Sequence, residues 1–277
     1  MNIQGSKILV LGGWGLVGSA ICHKLMEHSP DKLIVSSLKK SEAEEAVNDL
    51  RNEYSDYDPS MFVPKWGNVF TRSEWKDTFW GDIMSNGQSR MGAIDDIYSE
   101  LDKNILERSA LYTMIAEEKP DIVIDCINTA TAIAYQDIYG TAHTLKQQLE
   151  DNELDSETVE KMLVSSYIPQ LIRHVQFLYQ GMVAGKTKSY VKVGTSGTGG
   201  MGLNIPYTHS EERPSRVLMS KSAVAGAQTL LLYLMARTPE GPMVKEVKPT
   251  AAIAWKRIAY DKIMKKGQPI HLEDMSI

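Results

Sequence analysis

The sequence of 277 residues is poor in the features that mark several large classes of protein. It has two cysteines, Cys22 and Cys126, in apolar surroundings and without a C-x-x-C spacing, which predicts small core residues and no disulfide framework or metal site. No apolar run approaches the roughly 18–20 residues that a membrane-spanning helix needs. The net charge of −5 and the pI near 5.7 argue against a general nucleic-acid binder or a protein held on an anionic membrane.

A first strand pattern begins at residue 7, so we expect no leader peptide and a soluble, cytoplasmic protein. Hydrophobic residues make up 43% of the chain, which is enough to supply the core of one large α/β domain. We therefore interpret residues 1–277 as a single domain.

Short apolar runs alternate with longer helical patterns along most of the chain. The candidate strands are residues 7–11, 32–37, 61–66, 121–127, 189–193 and 243–247. The candidate helices are residues 15–27, 41–53, 105–118, 134–149, 156–183 and 215–236. Such alternation predicts an α/β fold with a doubly wound parallel sheet and helices on both faces. Residues 71–104 form a long polar insertion, which we expect to carry helices of its own or to cap a cleft.

The most informative segment is residues 7–25, in which an apolar run meets spaced glycines and then a helical pattern. Gly13, Gly15 and Gly18 fit G-x-G-x-x-G, whereas Gly12, Gly15 and Gly18 fit G-x-x-G-x-x-G. Both registers indicate a strand, tight turn and helix that bring backbone N–H groups close to a pyrophosphate. The residues of this turn that we expect to contact a dinucleotide are Gly12, Trp14, Gly15, Leu16, Val17 and Gly18.

Further motifs follow the later strands in a defined order. Asn68 and Val69 follow the third strand; Asn128, Thr129 and Ala130 follow the fourth; a loop of Gly, Ser and Thr containing Ser196 follows the fifth; Pro206, Glu211, Pro214 and Ser220-Lys221 lead into a long helix; and Pro249 follows the sixth strand. With the glycine turn, this series resembles the short-chain dehydrogenase/reductase superfamily, in particular its extended, NAD-dependent epimerase/dehydratase-like branch.

The resemblance implies a Rossmann fold and assigns roles to these residues. Asn68 and Val69 would contact the adenine, Asn128, Thr129 and Ala130 would run close to the ribose and pyrophosphate, and Pro249 would close over the nicotinamide. Ser196 would bind the substrate oxygen, and Lys221 would hold the nicotinamide ribose and lower the pKa of a catalytic tyrosine. The resemblance also implies a short substrate-side extension over residues 250–277 and a homodimer formed by helices near 156–183 and 215–236.

The sequence departs from the family at the catalytic pair Tyr-x-x-x-Lys, because the position four residues before Lys221 is Val217. Valine cannot transfer a proton. Tyr207 could bring its phenol to the vacant position, and His209 is a second group able to transfer a proton. Alternatively, the chain binds a nucleotide without catalysis, as a regulatory or scaffold protein, or is active only with a partner.

The end of the second strand favours NADP(H) over NAD(H). An NAD site usually places an acidic residue there, but this chain has Ser36, Ser37 and Lys39, and no carboxylate before Glu42. Hydroxyls and two cations, Lys39 and Lys40, suit a 2′-phosphate. We therefore expect an NADP(H)-dependent oxidoreductase or epimerase/dehydratase that acts on a small polar or acyl substrate. A methyltransferase-like protein is disfavoured by the glycine spacing and by Lys221.

Overall fold

The structure, a computed structural model, describes residues 3–134, 136–194 and 216–247, together with the backbone of two short strands near the C-terminus. Six parallel strands form one sheet in the order β3-β2-β1-β4-β5-β6. They are β1 (Lys7–Leu11), β2 (Lys32–Ser37), β3 (Phe62–Trp66), β4 (Ile122–Asp125), β5 (Ser189–Val193) and β6 (Met243–Val247). The short strands β7 (Met264–Lys265) and β8 (Gln268–Pro269) pair antiparallel. This strand order is typical of the Rossmann fold, which confirms the predicted fold class.

Eleven α-helices lie among the described residues. They are α1 (Leu16–Met26), α2 (Lys40–Glu53), α3 (Trp80–Ser85), α4 (Gly87–Tyr98), α5 (Lys103–Arg108), α6 (Ala110–Glu118), α7 (Thr129–Ala134), α8 (Ile138–Asp151), α9 (Ser156–Val164), α10 (Tyr167–Gly185) and α11 (Arg216–Ala236). Two short 3₁₀ helices cover Pro59–Met61 and Ser73–Trp75.

Alternate residues of the central strands pack into two separate hydrophobic cores, one on each face of the sheet. Leu9 and Leu11 of β1 pack into a cluster with α6, α10 and α11, whereas Ile8 and Val10 pack into a cluster with α1 and α2. All four side chains are almost completely buried. Because both faces of β1 are covered, its sequence is a continuous apolar run and does not alternate.

Three predicted helices are wrong in their extent: two of them are each two helices in the structure, and the third starts four residues before the helix that it predicts. The predicted helix 156–183 breaks at Ser165 and Ser166, and Pro169 then lies in the first turn of α10. Proline is tolerated in a first turn, but in a continuous helix it would lose a backbone hydrogen bond and clash with the preceding turn. The predicted helix 105–118 breaks at Ser109, whose hydroxyl accepts a hydrogen bond from Tyr112 N at the start of α6.

The third predicted helix, 134–149, corresponds to α8, which begins at Ile138. The short helix α7, which ends at Ala134, is not predicted. Asp137 then caps α8 by accepting a hydrogen bond from Gly140 N at 2.8 Å. The predicted strand 121–127 is correspondingly shorter, because its last residues turn toward α7 instead of continuing the ladder.

The insertion at residues 71–104 contains α3 and α4, and α4 packs against α9 and α10. Arg72 anchors its base, since the guanidinium binds Asp96 Oδ2 at 2.5 Å and the Gly92 carbonyl oxygen at 2.8 Å. Phe79, Trp80 and Gly81, at the start of α3, face the carboxyl ends of the strands.

One helix, α11, is long and apolar enough to cross a membrane by length and composition alone. It packs against α7, α10 and β6, with Val224, Ala225 and Leu232 almost fully buried. These contacts make α11 a part of the domain core on that side.

Candidate functional site

A cleft of about 700 Å³ opens at the carboxyl ends of β1, β2, β3 and β4. The strand order reverses between β1 and β4, so the chain leaves these neighbours in opposite directions and the loops diverge. Doubly wound sheets bind ligands at this kind of switch point. Seven of the residues expected to contact a dinucleotide line the cleft: Gly12, Trp14, Gly15, Ser36, Ser37, Asn68 and Val69.

Four positions in the turn between β1 and α1 are glycine, and the structural reason for glycine differs among them. Gly12 has a φ of +76°, which L side chains rarely adopt. A Cβ on Gly13 would lie 2.5 Å from a methyl carbon of Val35, and one on Gly18 would lie 2.1 Å from the Gly12 carbonyl oxygen. Both glycines therefore allow the close packing of β1, β2 and α1. Each of the two glycine registers therefore contains positions that require glycine: Gly12 and Gly18 in one, and Gly13 and Gly18 in the other.

Gly15 differs from the others because it faces open space. A Cβ there would meet only the Gly12 carbonyl oxygen, at 3.4 Å, and the residue is exposed on the cleft. It caps α1, so the first N–H groups of the helix, at Leu16, Val17 and Gly18, have no carbonyl partner within the helix. The Leu16 and Val17 side chains are exposed. The turn therefore offers donors and the positive end of a helix dipole to an anion.

The Glu42 carboxylate reaches the end of β2, although its position in the sequence suggested that it lies too far along the chain to do so. Ser37 Oγ donates to Glu42 Oε2 at 2.7 Å, and Lys39 N donates to the same oxygen at 3.2 Å. Glu42 lies in the first turn of α2, where the helix dipole also favours a negative charge. The two lysines differ, since Lys40 lies 3.6 Å from Glu44 and 5.1 Å from the Trp66 ring centre, whereas Lys39 makes no ion pair with the described residues.

The end of β3 forms a compact turn at the cleft. Gly67 has a φ of +129°, and Asn68 Oδ1 accepts a hydrogen bond from Phe70 N at 3.0 Å. Asn68 N donates to the Lys76 carbonyl oxygen at 2.7 Å, which ties this turn to the insertion. Val69 is 4% exposed and packs in the core beneath the cleft.

A buried polar network fixes the segment that follows β4. Lys192 Nζ, on β5, lies 2.9 Å from Asp125 Oδ2 and donates to the Ile127 carbonyl oxygen at 2.6 Å and to Thr129 Oγ1 at 3.3 Å. Tyr190 Oη donates to Asp125 Oδ2 at 2.8 Å. Lys192 and Asp125 are each about 1% exposed. The network thus holds the cleft wall at Ile127 from inside the protein.

This network shifts the pKa values of its neighbours. Burial, reinforced by the Asp125 carboxylate, raises the pKa of Tyr190 well above its usual value. Burial lowers the pKa of His174 to about 4, with Asp125 acting in the opposite direction. Burial raises the pKa of Cys126 to about 12, as it does for Cys22, so both thiols stay protonated.

Sequence reasoning missed Asp125, Tyr190 and Lys192. The signal that could have found them is a charged residue inside each of two strands predicted to be buried, since buried charges are paired in proteins. The parallel register places Asp125 directly beside Lys192 on the neighbouring strand.

The side chains of Asn128, Thr129 and Ala130 lie away from the cleft. Asn128 Oδ1 accepts a hydrogen bond from Thr131 N at 3.0 Å and so starts α7. Thr129 is held by Lys192, and Ala130 packs against Val224 of α11. The cleft wall here consists of Ile127, Ala132, Ile133 and Gln136.

Lys221 lies in the second turn of α11 and is 5% exposed, and burial lowers its pKa. Val217, one turn earlier on the same helix, is 38% exposed. Beside Lys221, Ser220 Oγ is 2.9 Å from Tyr139 Oη. No local sequence pattern marks Tyr139, because its contact with Ser220, 81 residues away, exists only in the packed structure.

A second tyrosine adjoins Ser220. Tyr167 Oη donates to the carbonyl oxygens of Ala134 and Gln136, at 3.2 and 3.0 Å. Burial raises the pKa of Tyr167, and a hydrogen bond with Ser220 acts in the opposite direction. Ser196, Tyr207, His209 and Pro249 lie outside the described residues. Within the described ranges, no cluster of three or more His, Cys, Asp or Glu could hold a metal ion.

The comparisons with solved structures yield distant matches. The chain is similar to Pen from Bacillus thuringiensis at 10% identity and a TM-score of 0.46, over 90% of this chain and 51% of that one. It is also similar to the bulky-bulky ketone specific alcohol dehydrogenase from Comamonas testosteroni, at 9% identity and a TM-score of 0.44, over 88% and 73% of the two chains. A short chain dehydrogenase from Burkholderia cenocepacia J2315, solved in complex with NADP, matches at 12% identity and a TM-score of 0.41, over 90% and 72%.

The chain therefore spans about half the length of the Bacillus protein. No curated protein sequence matches the chain. Residues 8–144, which run from β1 into α8 and include the glycine turn and most of the cleft lining, match the model of the NAD dependent epimerase/dehydratase family. This match over about half of the chain supports an epimerase/dehydratase-like assignment within the short-chain dehydrogenase/reductase superfamily.

Proposed function

We propose that the chain binds a nicotinamide dinucleotide in the cleft and uses it for oxidoreductase, epimerase or dehydratase chemistry on a small polar or acyl substrate. The main support for binding is Gly15, which has no side chain and faces open space at the amino end of α1 and at the switch point of the sheet. An approach of a pyrophosphate to these N–H groups needs a residue without a side chain at this position.

The cleft residues suit the parts of a dinucleotide. The free N–H groups of α1 would hold the pyrophosphate, and Ser37, Asn68 and Val69 would surround the adenosine. The cleft volume of about 700 Å³ lies within the range of cofactor sites. When bound, the nicotinamide supplies the hydride acceptor or donor of the reaction.

The binding step is tested with NADPH and protein fluorescence, because Trp14 and Trp80 both line the cleft and report on a bound dihydronicotinamide. We expect saturable quenching in the wild-type protein. Gly15→Ala leaves room for the fold but puts a methyl group on the cleft, so it is expected to weaken binding by about tenfold or more. Gly226→Ala is the matched control, since a Cβ there has no neighbour within 4 Å. Equal affinities of the two variants would contradict the proposed site.

NADP(H) is the proposed form of the cofactor. Its support is Lys39, an exposed cation next to Ser37 that makes no ion pair with the described residues. A specific observation favours NAD(H) as a second candidate: Ser37 already donates to Glu42, and a carboxylate there accepts a ribose hydroxyl and repels a 2′-phosphate.

Two variants separate the cofactors. If NADP(H) is preferred, Lys39→Ala should weaken NADPH binding by about tenfold and leave NADH binding nearly unchanged. If NAD(H) is preferred, Glu42→Gln should weaken NADH binding and improve NADPH binding. Lys103→Ala, on the distant helix α5, controls for the loss of one exposed lysine.

For catalysis, we propose that Ser196 binds the substrate oxygen, Lys221 holds the nicotinamide ribose, and Tyr207 transfers the proton. Burial lowers the pKa of Lys221, as expected for a cation held inside the protein near a ligand site. Tyr139 is the second candidate for the proton, because its hydroxyl lies 2.9 Å from Ser220, the neighbour of Lys221. The alternative function is a regulatory or scaffold protein that binds the nucleotide without catalysis.

Three variants decide among these possibilities when turnover of NADPH is followed with a panel of aldehydes, ketones and nucleotide sugars. Tyr207→Phe or Tyr139→Phe should abolish turnover if that phenol is the acid. Val217→Tyr restores Tyr-x-x-x-Lys at a partly exposed helical position and should create turnover in an inactive binder. A wild-type protein that is active and unaffected by both Phe variants would refute the proposed acid.

We further propose a cytoplasmic homodimer formed through α10 and α11. Large apolar side chains on these helices are exposed: Ile168, Ile172, Leu230, Tyr233 and Leu234. Sedimentation equilibrium tests the proposal, with a monomer mass expected for Leu230→Glu/Leu234→Glu and a dimer mass for the wild-type protein. A monomeric wild-type protein would refute it.

A further inference from the structure

A second cavity lies behind the dinucleotide cleft, between the insertion and α10. This inner cavity measures about 50 Å³. Its charged and titratable lining consists of Arg72, Asp96, Arg173 and His174. Val69, Phe70, Trp80 and Gln170 line both the inner cavity and the cleft, so the two are neighbours. They differ in their remaining lining, because Arg173 and His174 line only the inner cavity and the glycine turn lines only the cleft.

Two side chains of the inner cavity have buried nitrogens without partners. Arg173 is 7% exposed; its Nε and Nη2 donate to the Ile97 carbonyl oxygen at 3.3 and 3.2 Å, and Nη2 also donates to the Ser99 carbonyl oxygen. Its Nη1 has no hydrogen-bond partner among the described residues. His174 is 6% exposed, and its Nδ1 likewise has no partner in the described part of the chain. Buried donors of this kind normally have a partner.

The charges around the inner cavity do not balance. The Asp96 carboxylate is shared by two guanidinium groups, with Arg72 Nε at 2.5 Å and Arg108 Nη2 at 2.7 Å. Arg173 has no carboxylate within ion-pair distance among the described residues; burial lowers its pKa, and the more distant Asp96 carboxylate, already bound by two guanidinium groups, acts in the opposite direction. A buried guanidinium without an anion is energetically unfavourable, so the cavity selects for a negative charge.

The size and the walls of the cavity restrict the ligand further. A cavity of this volume holds roughly three to five water-sized groups. Phe70, Trp75 and Phe177 supply aromatic walls, which suit a short carbon chain better than an inorganic anion. We propose that the inner cavity binds the carboxylate of a small organic acid, with Arg173 Nη1 and His174 Nδ1 donating hydrogen bonds to its oxygens.

Sodium acetate is the probe, and acetamide is its uncharged counterpart of nearly the same shape. Binding to the full chain is measured by isothermal titration calorimetry and by the shift in melting temperature at constant ionic strength. We expect saturable binding of acetate and none of acetamide. Equal effects of acetate and acetamide, or a linear effect of acetate without saturation, would overturn the proposal.

Variants locate the site. Arg173→Gln removes the donor and should weaken acetate binding by about tenfold or more, as expected for a charge-assisted hydrogen bond. Arg51→Gln is the matched control, because Arg51 also donates to two backbone carbonyl oxygens and lies outside the cavity lining. Since Arg173 also supports the carbonyl groups of Ile97 and Ser99, a second variant is needed. Ala93→Leu fills the cavity and removes no polar group.

Acetate affinity that stays within twofold of wild type in Ala93→Leu would overturn the proposal. Competition with NADPH separates the two sites. Acetate in the inner cavity should leave the dissociation constant of NADPH nearly unchanged, whereas acetate at the amino end of α1 would be displaced by NADPH and would overturn the proposal. A chain that binds acetate but no dinucleotide would refute the proposed function and leave this site intact.

Discussion

The buried ring of His174 makes a quantitative prediction about stability and pH. The ring is 6% exposed, stacks on Phe70 with 4.6 Å between ring centres, and has a pKa of about 4 in the folded chain against a usual 6.5. Between these two pKa values, His174 therefore binds a proton in the unfolded chain but not in the folded chain. This contribution to stability is complete above pH 6.5 and is lost as the pH falls toward 4.

The size of the effect follows from the two pKa values. Between about pH 7.5 and pH 4.5, proton binding to the unfolded chain should lower the free energy of unfolding by roughly 2–3 kcal/mol. His174→Phe keeps an aromatic ring beside Phe70 and removes the titrating group. The pH dependence of its stability should therefore be flatter than that of the wild-type protein by about this amount.

Urea unfolding followed by far-ultraviolet circular dichroism measures the free energy of unfolding at each pH. The series should stop near pH 4.5, because Glu118 and Asp121, whose pKa values are lowered by ion pairs and hydrogen bonds, lose their stabilising contributions below their usual pKa values. His143→Gln is the control, since this ring is exposed. A His174→Phe protein with the wild-type slope would refute the reasoning.

Three further predictions concern packing and the glycines. Lys192→Met leaves Asp125 buried without its cation, and calorimetry should show a loss of about 3–5 kcal/mol, less in the double variant with Asp125→Leu. Gly18→Ala forces a Cβ to within 2.1 Å of the Gly12 carbonyl oxygen, so urea unfolding should show a loss above about 2 kcal/mol together with lost NADPH binding. Gly226→Ala, at an exposed position in α11, should raise the free energy of unfolding by up to about 1 kcal/mol, and any loss would contradict the open space around it.

The sequence predicts the sheet well because its central strands are buried on both faces. Four strands, β1, β2, β5 and β6, have the predicted limits; in β1 and β2 the continuous apolar runs, ended by Gly or Ser, leave little freedom in register. The helices are predicted less well, since the amphipathic pattern continues across the breaks at Ser109 and Ser166. Only capping and Pro169 separate the helices there.

The candidate site is predictable where one local segment forms it. The glycine turn is such a segment, and its position follows from residues 7–25 alone. The inner cavity and the Asp125–Lys192 pair are assembled from elements far apart in the chain, so no local pattern reveals them. Glu42 is an intermediate case, because its reach to Ser37 depends on where α2 begins.

The hydrogen bond from Lys192 to the Ile127 carbonyl oxygen has a consequence for the rate of ligand binding. Since this wall of the cleft is fixed from inside the core, its backbone is ordered when the chain folds and gains little further order when a ligand enters. Amide hydrogen exchange at Ile127 and Thr129 should then be equally slow with and without NADPH, and the association rate should not be limited by a rearrangement of this segment.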